Sequence, residues 1–256
     1  MSDLCKIISV SCGSEGDING IKAKGISAIM SHVEIKNGIY DSADQIIKSG
    51  KDVQGAGLKW SIGLNLLPLY EEVKTETGAD NRMFVRKAER GGFENIHKLF
   101  TRLSENGALP SFAQINSGIF DELQGINLSF EEQTRMVNAV INAVKAVAPE
   151  CKVIISTKNS TDNEAAKKWF NRFQVSGGKK FDIISLEYEL SSETFYDLSL
   201  NMSDLSRRFE AEIIVDISGQ ADVASADIGL EDLDSAVSIV PLDRGFGTVY
   251  SLNAIA

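Results

Sequence analysis

Short runs of β-branched and aliphatic residues alternate along this chain with longer stretches in which apolar positions recur every three or four residues. The first pattern predicts buried or half-buried strands and the second predicts helices with one apolar face. Strands are expected at 6–12, 26–35, 58–66, 111–116, 152–157, 181–188, 212–217 and 247–252. The clearest helix spans 129–148. It opens on Ser129 and Glu132 at capping-box spacing, presents Met136, Val137, Val140, Val144 and Val147 as one stripe, and ends at Pro149. A second helix, 161–173, puts Ala165, Trp169 and Phe173 on one face and Lys167, Lys168 and Arg172 mostly on the other, and stops before Gly177 and Gly178. A third, 82–106, is expected to break at Gly91 and Gly92. Residues 253–256 are too few for a helix after the last strand.

Repeated strand–helix units imply a parallel sheet. Eight of them in 256 residues match the roughly 250 residues of one α/β barrel. A doubly wound sheet is the competing architecture, but no GxGxxG or GxxxxGK[ST] loop opens any helix. The chain is therefore read as an α/β protein, one (β/α)8 TIM barrel over residues 1–256 with trimmed loops and its last helix absent. In such a barrel the chemistry sits at the carboxyl ends of the strands.

A hydrophobic fraction of 43% with 24% charged residues is ordinary for a chain that buries a full core. The net charge of −10 disfavours nucleic acid, which is bound through clustered Lys and Arg. No apolar run approaches the roughly 18 residues of a membrane span. The first residues, MSDLCKIISVSCGSEGD, lack the pattern of a secretory signal, so the cytoplasm is the default compartment unless a signal has been removed. Cys5, Cys12 and Cys151, an odd number without CxxC spacing, read as reduced core thiols. His97 has no second ligand at metal spacing, so neither a metal nor another cofactor is expected. Ser11, Ser156 and Ser218 lie in no GxSxG elbow. Trp60 and Trp169 read as core residues.

Several segments carry a family resemblance. The stretch GIKAKGISAIMSHVEIKNGIYDSADQIIKSGKDVQGAGLKW, then SFAQINSGI, FDIISLEYEL, EIIVDIS and RGFGTVYSL, in that order and spacing, resemble the arabinogalactan endo-β-1,4-galactanases, retaining glycoside hydrolases that use paired glutamates. The resemblance implies that Gln114 stands at the acid/base position on strand four and Asp216 at the nucleophile position on strand seven. It also implies that His32, Val33 and Glu34 replace arginines and a tryptophan on strand two. Gly63 and Asn65 replace aspartate and histidine on strand three, and Tyr250 alone remains of a Tyr-Trp-Glu motif on strand eight.

Retaining hydrolysis needs an acid to protonate the leaving oxygen and a carboxylate about 5 to 5.5 Å from it to attack the sugar. The amide of Gln114 has no proton to give at a useful pKa. Asp216 keeps a carboxylate on a side chain shorter by one methylene. The expectation is a degenerate member of the family, a pseudoenzyme that has lost hydrolysis and serves as a carbohydrate-binding or structural module. His32, Glu34, Asn65, Asn116, Glu187, Tyr188 and Tyr250 are the candidate contacts to an oligo- or polysaccharide. Two alternatives stand beside it. One is an active retaining hydrolase on a β-galactan-like polysaccharide, its acid/base relocated within the group Glu34, Glu187, Glu189 and Asp216; the bland reading of these acids is a solvated rim. The other is a scaffold component of a protein assembly.

Overall fold

The computed structural model describes residues 4–78, 80–123, 125–219 and 228–251. Its eight strands are β1 (Cys5–Ser11), β2 (Ala28–Glu34), β3 (Lys59–Asn65), β4 (Phe112–Asn116), β5 (Lys152–Thr157), β6 (Ile183–Glu187), β7 (Glu212–Asp216) and β8 (Gly245–Ser251). They form a closed parallel barrel in sequence order. Closure is made by β1 and β8, with Ile7 opposite Val249. The architecture is the expected (β/α)8 barrel. Several strands are shorter than the apolar runs that announced them: Ile26, Ile35, Leu58, Leu66 and Ile217 are buried but lie just beyond the strand ends. Leu252 and residues 253–256 lie outside the described residues.

Alternation along each strand sorts the side chains into two cores. Ile7, Ala28, Met30, Phe112, Ile154, Ile183, Ile214 and Val249 fill the interior of the barrel. Their neighbours Ile8, Ile29, Ala113, Ile155, Ile184, Ile213 and Tyr250 face outward into a larger core under the helices. At the amino-terminal end Phe112 meets Phe246 edge to face, with ring centroids 5.2 Å apart. Lys152 lies over the Phe246 ring at 5.0 Å and pairs with Glu212 at 2.6 Å. Phe246 is the extra residue of a bulge, since Ile213 pairs with Gly245 and Ile214 with Gly247. Gly247 is needed for closure, because a Cβ there would meet the Cys5 carbonyl oxygen at 1.9 Å.

The helix Phe130–Val147 carries the expected capping box, with Ser129 and Glu132 each bonded to the other's backbone amide. The helix Asn163–Val175 starts later than expected because Asp162 caps it by accepting from the Ala165 amide. Its most buried residues are Ala166, Phe170 and Phe173, with Trp169 stacked on Phe173 at 5.3 Å. The helix Asn81–Glu105 runs without the expected break. At Gly92 a Cβ would stand 3.6 Å from Val140 and 3.8 Å from the Tyr70 hydroxyl, so this glycine lies within helix–helix packing rather than at a kink. All three cysteines are free, Cys5 and Cys151 buried and Cys12 partly so. Among the described residues no helix is long and apolar enough to cross a membrane.

Candidate functional site at the barrel mouth

Above the apolar interior the next inward-facing positions are mostly polar, Gly63 on β3 being an exception. Gln114 stands two residues beyond Phe112 on β4, so it shares that face and lies about 7 Å nearer the mouth. Register places Gly63 beside Gln114, His32 beside Gly63 and Asp216 beside Glu187. Ser9 reaches across from β1, its Oγ 2.8 Å from His32 Nε2. The result is a ring of Ser9, His32, Gln114, Ser156, Glu187 and Asp216 around the carboxyl end of the barrel.

Asp216 is 7% exposed. Its Oδ1 accepts from the Ser218 amide at 2.9 Å and from the Ser218 hydroxyl at 2.6 Å. Burial nevertheless raises its pKa; Ser218, His32 and Gln114 oppose the rise without cancelling it. Glu187 is raised as well, first by burial and then by the negative charge of Asp216, with Lys158 and Ser156 acting the other way. Crowding by the barrel wall lowers the pKa of His32 against the pull of Asp216, although the ring keeps an open side to solvent at the mouth. At neutral pH the imidazole is therefore neutral. Gly63 makes room for it, since a Cβ at that position would lie 2.4 Å from His32 Nδ1.

Gln114 is also 7% exposed. Its amide is close enough to Asp216 to favour the charged carboxylate, which orients the nitrogen toward the acid. The carbonyl oxygen Oε1 is buried and, among the described residues, has no hydrogen-bond partner. Ser156 Oγ is in the same condition, near Glu187 without a well-formed bond to it. Buried acceptors of this kind are uncommon in folded proteins and call for a partner.

Other expected contacts are placed elsewhere. Tyr188 follows the inward-facing Glu187 and so faces outward, donating to the Ser191 carbonyl at 2.7 Å. Tyr250 follows the inward-facing Val249 and donates to Asp234 at 2.6 Å. Neither ring belongs to the mouth. Glu34 is exposed on the rim and paired with Lys36 at 2.9 Å. Asn65 and Asn116 hold turns: Asn65 Oδ1 accepts from the Leu67 amide at 3.1 Å and Asn116 Oδ1 from the Gly118 amide at 2.7 Å. His97 is stacked on Phe93 within its helix. Among the described residues no group of three or more His, Cys, Asp or Glu is arranged to hold a metal ion. Ser9 was not legible as a site residue, because its role depends on register across two strands. Ser218 had a local signal, since a serine two residues after an aspartate is well placed to close a turn on it.

Comparison with family models identifies one family. The model of glycosyl hydrolase family 53 matches residues 91–250. The fold is similar to that of the family 53 catalytic domain of Ignisphaera aggregans, with a TM-score of 0.70 and 14% identity over 97% of this chain and 84% of that one. It is also similar to a family 1 β-glucosidase from Thermotoga maritima, with a TM-score of 0.59 and 8% identity over 94% and 77% of the two chains. At such identities these likenesses concern the fold. An uncharacterized protein from the region 5' of bgaB in Niallia circulans is 33% identical in an alignment of 125 residues that covers 44% of this chain and 34% of that protein's length.

Proposed function

The chain belongs to glycosyl hydrolase family 53, and from that premise we propose that residues 1–256 form one glycosidase-like domain that binds carbohydrate without hydrolysing it. The observation that carries this reading is Gln114. It lies beside Asp216, supplies no transferable proton, and holds a buried carbonyl oxygen that has no partner among the described residues. General acid catalysis contributes about 10² to 10⁴ in rate, so an amide in this position removes a large part of the expected catalysis. It leaves a good acceptor for a sugar hydroxyl, and Asp216 supplies another. The experiment is a pair of measurements on β-1,4-galactan oligosaccharides: calorimetric affinity, and release of reducing ends over long incubation. Binding that weakens in Gln114→Ala, without turnover above a no-protein control, is the expected result. Turnover abolished by Asp216→Asn would overturn it.

One observation favours a second reading, a working hydrolase. Glu187 and Asp216 are direct partners on adjacent strands, about 4.8 Å apart in the backbone, and the pKa values of both are raised. A retaining mechanism needs an acid and a nucleophile whose carboxyl groups lie about 5 to 5.5 Å apart, a requirement that neighbouring strands can meet, with Glu187 protonating the leaving oxygen and Asp216 attacking the sugar. In that case turnover disappears in both Glu187→Gln and Asp216→Asn and survives in Gln114→Ala.

A further inference from the structure

The balance of hydrogen-bond donors and acceptors in the ring speaks to the class of sugar, resting on the reading of the mouth as a carbohydrate site. Acceptors predominate. Glu187 and Asp216 contribute two carboxylates on neighbouring strands, and Gln114 Oε1 is buried without a partner among the described residues. Cationic donors are few. Lys158 is drawn to the rim, 3.7 Å from Glu122 and largely exposed. His32, bonded to Ser9 at 2.8 Å, has its pKa lowered by burial and is neutral at neutral pH.

A neutral hexose could bond to each of these acceptors, but it would leave two like charges facing each other in a partly desolvated cup. An ammonium group would offer three donors and cancel the repulsion at the same time, and hydrogen bonds between charged groups are roughly twice as strong as neutral ones. We propose that the ligand seated between Glu187 and Asp216 carries a free amine, so that the site takes an amino sugar rather than a neutral one. The amine is expected to bridge the two carboxylates and to donate toward Gln114 Oε1.

The proton competes for the same place. The groups facing Asp216 are Ser218, His32, Gln114 and Glu187, and those facing Glu187 are Ser156, Lys158, Glu122 and Asp216. As pH rises from the acid side, both carboxyl groups lose the protons that burial favours and affinity for an amine increases. It falls again once the ligand's own amine is deprotonated. A neutral sugar has no such falling limb.

The test is calorimetric titration of the whole chain with galactosamine, N-acetylgalactosamine, galactose and β-1,4-galactotriose at several pH values and two salt concentrations. Galactosamine is expected to bind at least about 10-fold more tightly than galactose, the order of gain a charge-assisted bond provides. N-acetylation and added salt should remove the advantage, as should Glu187→Gln. The bell-shaped pH dependence is read on the unaltered protein, so the result does not depend on a variant's folding. Equal affinity for galactose, galactotriose and galactosamine overturns the amine while leaving carbohydrate binding intact. Absence of binding by all four overturns both.

Discussion

His32 and Gly63 face each other across the β2–β3 ladder, and the imidazole occupies the space in which any side chain at position 63 would begin. The pair acts as a unit. Gly63→Ala must displace the ring from Ser9 or push the strand aside, at a cost of about 1–3 kcal/mol for an overpacked site. His32→Ala removes the obstacle. In a thermodynamic cycle of chemical denaturation, the double variant is expected to be more stable than the sum of the single changes. Simple additivity would show that the ring moves away freely.

Asp216 makes the barrel pH-sensitive in a defined direction. Its pKa in the folded chain is raised above the unfolded value of about 3.9. Its contribution to stability is therefore fully present below that value and lost as pH rises through the folded pKa. Asp216→Asn should equal or exceed the unaltered protein in Tm at pH 7, and the difference should shrink towards about pH 3, below the unfolded value. Differential scanning calorimetry across that range checks it. A Tm at pH 7 well below that of the unaltered protein would show that the carboxylate is held by favourable contacts that outweigh its burial.

Tyr250 and Gln114 should separate stability from recognition. Tyr250→Phe removes a hydroxyl that binds Asp234, itself paired with Lys6 at 2.8 Å. A loss of about 1–2 kcal/mol is expected, with carbohydrate affinity unchanged. Gln114→Ala should weaken affinity, because it removes an oxygen that bonds to nothing among the described residues together with the amide that favours the charged Asp216. Parallel melting and calorimetric titration of the two variants measure this; a loss of affinity in Tyr250→Phe would place that ring back in the site.

Closure at β8 offers a fourth check. Gly247→Ala sets a methyl group against the Cys5 carbonyl oxygen and should force β8 away from β1. Loss of amide exchange protection in these two strands, with the middle of the sheet less affected, is the expected signature. The thiols report on the same event. Burial pushes the Cys151 thiol up to about 12 and also raises Cys5 and Cys12; because Cys12 alone of the three is only partly buried, a maleimide should label it first in the native protein. Faster labelling of Cys5 in Gly247→Ala would follow from opening of this seam.

The barrel was legible because its signal is periodic and repeated: eight aliphatic runs separated by helical stretches fit few arrangements. Gln114 and Asp216 were singled out differently, by the resemblance of SFAQINSGI and EIIVDIS to the strand motifs of a family; the structure places the two residues on β4 and β7. The tyrosines show where the reading stopped. Tyr188 and Tyr250 lie at strand ends as expected, but each is one residue out of phase with its inward-facing neighbour, and a shift of one residue reverses the face of a strand. Ser9 was hidden for a related reason, because its contact with His32 depends on how far β1 is staggered against β2. The glycines at 91 and 92 were misleading because a residue that weakens an isolated helix is accepted where helices pack closely.

The edge-to-face Phe112 and Phe246 rings, with Lys152 over Phe246, have a bearing on how any ligand comes and goes. They stopper the barrel at its lower end, so the ring of polar residues can be approached only from the carboxyl ends of the strands. A polymer cannot be threaded through it or advanced along it link by link. Whatever enters must leave by the same doorway, which suits grasp and release of a single protruding residue better than continuous passage along a chain.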